Sequence, residues 1–485
     1  MRDEEREMLS VLGVDSVEGL FLDIPGGVRR PLNLPDGMSE SDVFSLFKEI
    51  LGVNRTFVEM PFFAGVEQSP RFVPPAVDYI VSRGEFLTSY TSYQPEISQG
   101  LLQGLFEYQS LMSELTGMEV VNASLYDWST ALGEALRMAH RINRRRFFVL
   151  PDFIPHWRKD VARLYVEGFG GELLFFPHET EGSGSSGVSG GLNLDALSAV
   201  LEKRKGDVSA VYVEMPNFFG VVDRQIMELK DLFPDVLLVV GVDPISLGVL
   251  VPPGDYGADI VVGEGQNLGL PPGFGGPGLG IFATTKKYVR KMPGRLVGAT
   301  VDAEGRRAFS ITLQTREQHI RRERATSNIC SNEALCALAA GVYLALLGKS
   351  GLRDLCDLLV HRAHVLADML SGLDGVVAPV FSGPFFSSFV AEFPVDYACV
   401  HRFLLSRGVH GGFPLSVPAA PGVAPGTPGV SPPGVSSIPS ARLSGPSDAR
   451  RAVFAVNEYT GEREFSVLVS ALREFLGAEG GGSGV

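Results

Sequence analysis

The sequence predicts an α/β protein with a doubly wound, mostly parallel sheet and a smaller C-terminal α+β domain. Between about residues 120 and 285, short apolar runs recur at 147–150, 173–176, 209–213, 236–240, 260–262 and 279–282. Amphipathic stretches typical of helices separate several of these runs, at 129–141, 194–205 and 224–232. Short apolar runs that alternate with helical stretches are typical of buried parallel strands joined by crossover helices.

The segments on either side of this region define the predicted domains. Residues 1–75 are expected to form an arm of short helices and Pro/Gly turns, and residues 76–330 the large domain. The cap-type residues Ser331 and Asn332 predict the start of a long helix. Residues 331–485 are expected to contain this helix and the small domain, which a Pro/Gly/Ser-rich insertion interrupts at 417–447.

Composition and charge exclude several classes of protein. The chain has 485 residues with 42 Lys+Arg against 56 Asp+Glu, and its net charge of −14 argues against a general nucleic-acid binder. The four cysteines form no CxxC pair, so neither a disulfide framework nor a metal site is expected. The N-terminus is charged, and the longest apolar stretch has 14 residues. Since a membrane span needs about 20, we expect a soluble cytoplasmic protein.

The segment 236–282 contains the pattern on which a cofactor prediction depends. A strand ends at Asp243, a second strand-like run covers 258–262, and a glycine-rich turn at 273–280 leads into a third strand. This order resembles the core of fold-type I enzymes, the pyridoxal-phosphate (PLP)-dependent transferases related to aspartate aminotransferase. In those enzymes the Asp pairs with the pyridine nitrogen, and a lysine further along the chain forms the Schiff base.

The expected Schiff-base position holds no lysine in this chain. Gln266 or Asn267 stands there, and no lysine occurs between Lys230 and Lys286. Because an amide cannot form an imine, we expect that this chain alone does not hold PLP covalently. Asp243 is then expected to be a vestige or a structural hydrogen-bond acceptor.

A tryptophan occupies the position where this fold binds the cofactor phosphate. Such phosphate sites use small residues at a helix N-terminus, because backbone N–H groups must approach the phosphate closely. The segment YDWSTAL at 126–132 takes this strand-to-helix position, and Trp128 stands where a glycine is expected. We predict that the indole fills the phosphate site. The alternative assigns Ser129 and Thr130 a capping role only.

Several sequence blocks together resemble one protein family. They are YTSYQPEISQG at 90–100, FEYQ at 106–109, ELTGM at 114–118, NASLYD at 122–127, PPGDYGADIVVGE at 252–264, MPGRLVG at 292–298, LQTREQHIRRE at 313–323 and ATSNIC at 325–330. In this order they resemble glycine dehydrogenase (decarboxylating) subunit 1. This family is the α subunit, or N-terminal half, of the P-protein of the glycine cleavage system. The resemblance covers about residues 55–415 and, more weakly, 455–476.

The resemblance implies a division of labour between two chains. Subunit 1 is expected to have the PLP-enzyme fold without the Schiff-base lysine, and a homologous subunit 2 is expected to bind pyridoxal 5'-phosphate covalently. The two chains would form a heterodimer or an α2β2 heterotetramer. This complex would decarboxylate glycine and pass the aminomethyl group to the lipoyl group of H-protein.

The catalytic candidates lie in two of the family blocks. Tyr90, Tyr93 and Gln94 precede a helix and carry hydroxyl and amide groups suited to a cofactor edge or a substrate carboxylate; the alternative is a packed turn. His319 lies among arginines at 316, 321, 322 and 324, where it could move a proton. The alternative is a solvated charged face, in which Glu317 and Glu323 pair with these arginines.

Three further residues are candidates for contact with the cofactor phosphate across a subunit interface. Gly275 and Gly276 lie in the glycine-rich turn, and Thr326 lies in the ATSNIC block. As turn and cap residues they are equally well explained.

The sequence departs from the family pattern in four places. Trp128 replaces a small residue, and FFAGVEQSP at 62–70 lacks the expected aromatic and histidine stretch. The insertion at 417–447 replaces an ordinary connection, and NEYT at 457–460 only approximates the late motif.

Two rival functions stand beside this expectation. One is an independent PLP enzyme that uses another lysine, such as Lys286 or Lys287. The other is a non-catalytic scaffold that docks a partner.

Overall fold

The computed structural model describes residues 3–30, 33–89, 92–179, 188–273, 276–329, 332–415 and 448–480. The predicted sites Tyr90 and Gly275 and the insertion at 417–447 lie outside these residues. The chain divides into two compact units, Met1–Thr56 and Phe57–Val485. This division does not separate the large domain from the C-terminal one, so the boundary at 330 stays a prediction.

The first unit contains two helices, α1 (Asp3–Leu12) and α2 (Glu40–Leu51). Ser39 caps α2, because its hydroxyl accepts a hydrogen bond from the backbone N–H of Asp42 at 3.3 Å. The apolar side chains of α2 are exposed within this unit, among them Phe44 and Phe47.

The second unit is built on a seven-stranded sheet in the order β1-β7-β6-β5-β4-β2-β3. Its strands are β1 (Val120–Val121), β2 (Phe147–Pro151), β3 (Glu172–Phe176), β4 (Val208–Met215), β5 (Leu237–Val242), β6 (Ile260–Glu264) and β7 (Gly280–Thr284). Strands β2 to β6 are parallel, as predicted. The apolar run at 279–282 forms β7, which pairs antiparallel with β6. Its expected parallel direction was wrong, because burial alone does not encode strand direction.

Helices cover both faces of this sheet and extend into the C-terminal region. They are α3 (Pro75–Val81), α4 (Gly84–Leu87), α5 (Gln99–Thr116), α6 (Trp128–Asn143), α7 (His156–Glu167), α8 (Leu194–Lys203), α9 (Leu229–Leu232), α10 (Gln318–Arg321), α11 (Ala334–Ser371), α12 (Tyr397–Ser406) and α13 (Glu462–Gly480). Short 3₁₀ helices cover Val17–Phe21, Gly26–Val28, Pro95–Ile97, Arg224–Glu228, Ser246–Gly248, Pro253–Tyr256, Lys286–Lys291, Gln314–Arg316, Arg322–Arg324 and Asp448–Arg450.

The long predicted helix is α11, which is interrupted at Gly348, where φ is 59°. By length and mean hydropathy α11 could cross a membrane, but its side chains at Ala340, Leu359 and Leu366 are buried in the protein core. We therefore assign it as a core helix.

Two small antiparallel sheets complete the second unit. One is the hairpin β8 (Leu296–Val301) and β9 (Arg307–Thr312). The other has the order β10-β12-β11, from β10 (Ser388–Glu392), β11 (Phe413–Pro414) and β12 (Arg451–Ala455). The second sheet and the helices near it match the predicted α+β character of the C-terminal region.

The parallel strands place polar groups at one edge of the large sheet. Glu214 lies near the carboxyl end of β4, Asp243 directly follows β5, and Glu264 ends β6. The carboxyl ends of parallel strands are where α/β proteins build their binding sites. A binding site is therefore expected at the carboxyl ends of β4, β5 and β6.

Candidate functional site

A cavity of about 50 Å³ lies at the carboxyl ends of β4, β5 and β6. We call it the strand-end cavity. It is lined by Gly65, Val66, Glu67, Ser69, Arg71, Trp128, Arg158, Glu214, Pro216, Asn217, Phe218, Asp243, Glu264, Asn267, Phe386, Ser387 and Ser388. Its walls thus come from the large sheet, from the segment 65–71 and from the start of β10.

Trp128 forms one wall of this cavity and is the first residue of α6. A capping box starts the helix: the Asp127 carboxylate accepts the backbone N–H of Thr130 at 2.7 Å, and the Thr130 hydroxyl accepts the backbone N–H of Asp127. The alternative prediction of a capping role therefore holds for Thr130. The indole itself is 6% exposed and donates through Nε1 to the Tyr212 hydroxyl at 2.9 Å.

A glycine leaves the room that the indole needs. A Cβ at Gly241, on β5, would lie 2.8 Å from Trp128 Cζ2 and 2.5 Å from the Tyr212 hydroxyl. Because real Cβ contacts are longer than this, only glycine allows the ring to pack against the strand. The indole therefore packs over β5, the central strand of the sheet.

A buried arginine holds two carboxylates at the same wall. Arg158, on α7, forms ion pairs with Glu214 and, at 3.1 Å, with Glu67. Its guanidinium carbon lies 3.8 Å from the centroid of the Trp128 ring, a cation–π contact. Burial raises the pKa of Glu214, and the adjacent Arg158 opposes this shift. The chain's own side chains thus satisfy the charges on this side of the cavity.

A carboxylate also occupies the N-terminus of α6. Glu264 accepts backbone N–H groups of Leu279 at 2.8 Å, Gln266 at 3.0 Å and Trp128 at 3.3 Å. Burial raises its pKa to about 7, while these hydrogen bonds oppose the shift. An internal side chain therefore uses the helix N–H group that an anion would otherwise bind.

The side chain of Gln266 is fully engaged with the backbone. Its Oε1 accepts the N–H of Ser69 at 3.1 Å, and its Nε2 donates to the carbonyl of Leu270 at 2.5 Å. The residue is completely buried. It therefore serves as a structural link between the segment 65–71 and the end of β6.

Asp243 faces the cavity and accepts the backbone N–H of Ile245 at 3.1 Å. Burial raises its pKa, and nearby Arg71 and a hydrogen bond from Asn267 oppose the shift. Arg71 in turn forms an ion pair with Glu458 at 3.2 Å. These contacts agree with the prediction of a structural hydrogen-bond acceptor.

A second group of polar side chains, the Tyr93 cluster, consists of Tyr93, Arg295, Glu317 and His319. Arg295 donates to the Tyr93 hydroxyl at 3.0 Å, and this hydroxyl donates to Glu317 at 3.2 Å. The Glu317 carboxylate lies 3.7 Å from both Arg295 Nε and His319 Nδ1. The rings of Tyr93 and His319 are in contact, with centroids 5.1 Å apart. Burial raises the pKa of Tyr93, and Arg295 opposes this shift.

The structure thus brings two of the predicted residues together, Tyr93 and His319, although 226 positions separate them in the chain. Thr326 lines a cavity of about 20 Å³ together with Arg295 and Glu317, so it lies beside the cluster. Gln94 is exposed and precedes the 3₁₀ helix Pro95–Ile97.

The other predicted positions lie elsewhere. Gly276 lines a different cavity, near Asp127. Lys286 and Lys287 are exposed on the 3₁₀ helix Lys286–Lys291 and do not line the strand-end cavity.

Sequence reasoning missed Arg295 and treated Glu317 only as part of a charged face. Both lie inside family blocks, at 292–298 and 313–323, so the blocks contained a usable signal. Arg158, Glu67 and Glu214 come from separate segments without a motif, and no sequence signal pointed to their network.

Comparisons with known proteins identify the family. The family model described as "Glycine cleavage system P-protein" matches residues 1–411. A probable glycine dehydrogenase (decarboxylating) subunit 1 from Thermococcus onnurineus is 43% identical over 472 residues, covering 96% of this chain and 97% of the relative. The corresponding protein from Thermococcus kodakarensis is 46% identical over 411 residues, covering 84% and 88%.

Solved structures agree with this assignment. A crystal structure of glycine decarboxylase (P-protein) of the glycine cleavage system, in inhibitor-bound form, has a TM-score of 0.82 and 39% identity, and the match covers 98% of each chain. A glutamate decarboxylase from Lactobacillus brevis, at 13% identity and a TM-score of 0.64, shares the fold alone. The predicted PLP-dependent transferase-like fold, fold type I, is confirmed. The chain belongs to the glycine cleavage system P-protein family.

Proposed function

We propose that this chain is the subunit of a glycine decarboxylase that lacks the Schiff-base lysine. Its relatives are named glycine dehydrogenase (decarboxylating) subunit 1, and this name implies a second subunit. In this proposal a lysine-bearing subunit 2 binds PLP covalently, in a heterodimer or an α2β2 heterotetramer. The complex decarboxylates glycine and passes the aminomethyl group to the lipoyl group of H-protein, in the cytoplasm.

The observation that carries the proposal is the side chain at the anchor position. Gln266 or Asn267 stands there, and both are buried; the two polar ends of the Gln266 side chain are bound to backbone groups. An amide forms no imine, and no lysine lies between Lys230 and Lys286.

The strand-end cavity does not fit PLP. Its volume of about 50 Å³ holds only a few water-sized groups. Trp128 fills the space above Gly241, and Glu264 occupies the helix N–H group suited to a phosphate. These contacts support the interpretation that the chain's own side chains close the cofactor pocket. No reaction step is therefore assigned to this cavity.

The Tyr93 cluster supports a role in completing the partner's active site. A tyrosine hydroxyl, a guanidinium and an imidazole can bind a carboxylate and move a proton. Glu317 holds Arg295 and His319 in place and leaves the imidazole exposed. We assign Tyr93, Arg295 and His319 to substrate contact across the interface and Glu317 to positioning. Tyr90, Gln94, Gly275, Gly276 and Thr326 remain candidates for the same interface.

The test is reconstitution with a lysine-bearing subunit 2 and lipoylated H-protein. Release of labelled CO₂ from glycine is expected only when all three proteins are present. Tyr93→Phe and His319→Ala are expected to lower the rate without preventing assembly, which gel filtration measures. The exposed residues Tyr79 and His361 provide matched controls, Tyr79→Phe and His361→Ala.

Two outcomes would replace the proposal. Unchanged CO₂ release in both cluster variants would favour a non-catalytic scaffold. CO₂ release by this chain with PLP alone would favour an independent enzyme.

A further inference from the structure

A buried arginine, Arg316, lies beside the Tyr93 cluster and binds backbone. It is 9% exposed, and every hydrogen bond that its guanidinium makes within the described part of the chain goes to a backbone carbonyl. Nε donates to Leu313 at 3.2 Å, one terminal nitrogen donates to Gly294 at 3.0 Å, and the other donates to Met292. The planar fork of N–H donors lets this one side chain reach all of these carbonyls.

The guanidinium joins the two chain segments that carry the Arg295–Glu317 ion pair. The carbonyls at 292 and 294 come shortly before Arg295, and the second of them is directly adjacent to it. Arg316 comes directly before Glu317, at the end of the 3₁₀ helix Gln314–Arg316. Arg295 Nε and the Glu317 carboxylate lie 3.7 Å apart. Because each of these side chains stands one residue from the tie, the tie sets the distance between them.

The turn that leads to Arg316 needs outside support. Leu313 has a φ of 55°, a left-handed conformation that leucine rarely adopts. Such a residue costs free energy, so the surrounding contacts must impose its conformation. The Arg316 Nε–H holds the carbonyl of this residue, and the Arg316 carbonyl accepts the N–H of Thr326 at 3.0 Å. Arg316 therefore stabilises both ends of the segment that contains Glu317 and His319.

Packing alone does not account for an arginine at this position. Burial lowers the pKa of Arg316, and the neighbouring Glu317 opposes this shift. An arginine stays protonated in a protein, so its buried charge has to be met by fixed dipoles, here the carbonyls. A methionine would fill a similar volume without this desolvation cost. The guanidinium is therefore retained for the bonds that it makes.

We propose that Arg316 is a positioning residue for glycine decarboxylation, which holds Arg295 and Glu317 at the spacing that the Tyr93 hydroxyl bridges. In this role it touches neither substrate nor cofactor and acts through the Tyr93 cluster alone. Without the tie, Glu317 and His319 lose their fixed distance from Arg295. The inference rests on the proposed function, because it gives Arg316 an effect on the rate only if the cluster takes part in the reaction.

The experiment measures CO₂ release by the reconstituted complex with Arg316→Lys and Arg316→Met, each made in the unaltered chain and together with Tyr93→Phe. A lysine keeps the charge but lacks the planar fork. Since a misplacement of about 1 Å can cost about a hundredfold in rate, we expect kcat to fall about tenfold in Arg316→Lys and further in Arg316→Met. Combined with Tyr93→Phe, Arg316→Lys is expected to lower kcat at most about threefold, because the positioned hydroxyl is already gone.

Arg145 provides the matched control. Its guanidinium also donates to backbone carbonyls, those of Val208 at 3.1 Å and Asp235 at 2.8 Å. These bonds anchor the loop after α6 to the amino ends of β4 and β5, and none of them involves a residue of the Tyr93 cluster. Arg145→Lys is therefore expected to change kcat less than about twofold. Gel filtration and thermal denaturation of each variant report assembly and stability.

Three results would overturn the inference. Unchanged kcat in Arg316→Lys means that the reaction does not need the guanidinium. An equal loss with and without the Tyr93 hydroxyl means that Arg316 acts on the fold alone. Loss of assembly in both Arg316 variants, but not in Arg145→Lys, also assigns it a purely structural role. Full activity of Tyr93→Phe would contradict the proposed role of the cluster itself, whereas an active cluster that is not coupled to Arg316 contradicts this inference only.

Discussion

Removal of the buried guanidinium of Arg158 should destabilise the protein strongly. Arg158 is 2% exposed and is ion-paired with Glu214 and Glu67. In Arg158→Met both carboxylates lose their cation, and Glu214 stays buried. Removal of one partner from a buried ion pair costs about 3–5 kcal/mol. We expect a decrease of this size in the free energy of unfolding, measured by urea denaturation at about pH 8.

The same helix provides a matched control. Arg163 on α7 forms an exposed pair with Asp160 at 3.1 Å. Because exposed ion pairs contribute about 0–1 kcal/mol, Arg163→Met should lower the stability by less than about 1 kcal/mol.

A second substitution tests the cause of the effect. Adding Glu214→Gln to Arg158→Met removes the stranded charge while an amide oxygen can still accept from the Tyr212 hydroxyl. The double variant should recover about 2 kcal/mol relative to Arg158→Met.

The deficit of Arg158→Met should also depend on pH. Burial raises the pKa of Glu214. Loss of the opposing arginine raises the pKa of Glu214 further. At about pH 5 the folded variant therefore keeps Glu214 protonated, whereas the unfolded chain has mostly released this proton. Its deficit should therefore be smaller at about pH 5 than at about pH 8. A deficit below about 1 kcal/mol, or one equal at both pH values, would refute the assignment of a buried ion network.

Three further predictions concern other parts of the molecule. Burial raises the pKa of Glu264 from 4.5 to about 7, so the group favours folding at low pH, and its contribution to stability falls by about 3 kcal/mol as the pH rises from 4.5 to 7. Glu264→Gln should therefore flatten the dependence of the unfolding free energy on pH over this range, measured by denaturation. An unchanged slope would contradict the pKa shift. Tyr93→Phe removes the hydroxyl that links Arg295 and Glu317. It should lower kcat of the reconstituted complex about three- to tenfold in labelled-CO₂ assays, which is the equivalent of one hydrogen bond. Full activity would argue against contact between the Tyr93 hydroxyl and the substrate. Gly241→Ala places a Cβ 2.5 Å from the Tyr212 hydroxyl and 2.8 Å from Trp128, and should cost about 1–3 kcal/mol in urea denaturation; unaltered stability would mean that the indole can move.

Strands β2 to β7 could be predicted because each contains a short apolar run, and β4 to β7 are buried along their whole length. The run at 209–213 lies within β4, and all eight residues of that strand are buried. The direction of β7 could not be predicted, because the same apolar residues suit either direction. Pairing with β6 sets it, and that pairing is a long-range contact.

That the Trp128 indole fills a phosphate site stays a prediction: the structure places the indole against β5, and Glu264 accepts the N–H at the start of α6. The structure adds the reason that the ring is tolerated, which is Gly241 on the neighbouring strand. No local pattern links these two positions, since they come together only when the sheet forms.

The Tyr93 cluster was only partly predictable. Its members come from three segments, and their proximity is a property of the tertiary structure. Sequence blocks pointed to Tyr93 and His319 through their chemistry. The linking role of Glu317 required distances, because a carboxylate among arginines is also typical of an ordinary charged face.

The most direct test of the account is to trap the cofactor chemically. This chain, a lysine-bearing subunit 2 and their complex would each be incubated with PLP, reduced with borohydride and digested for mass spectrometry. We predict a pyridoxyl label on one lysine of subunit 2, alone or in the complex, and none on this chain. A stoichiometric label on any lysine of this chain would contradict the claim that it works without its own Schiff base.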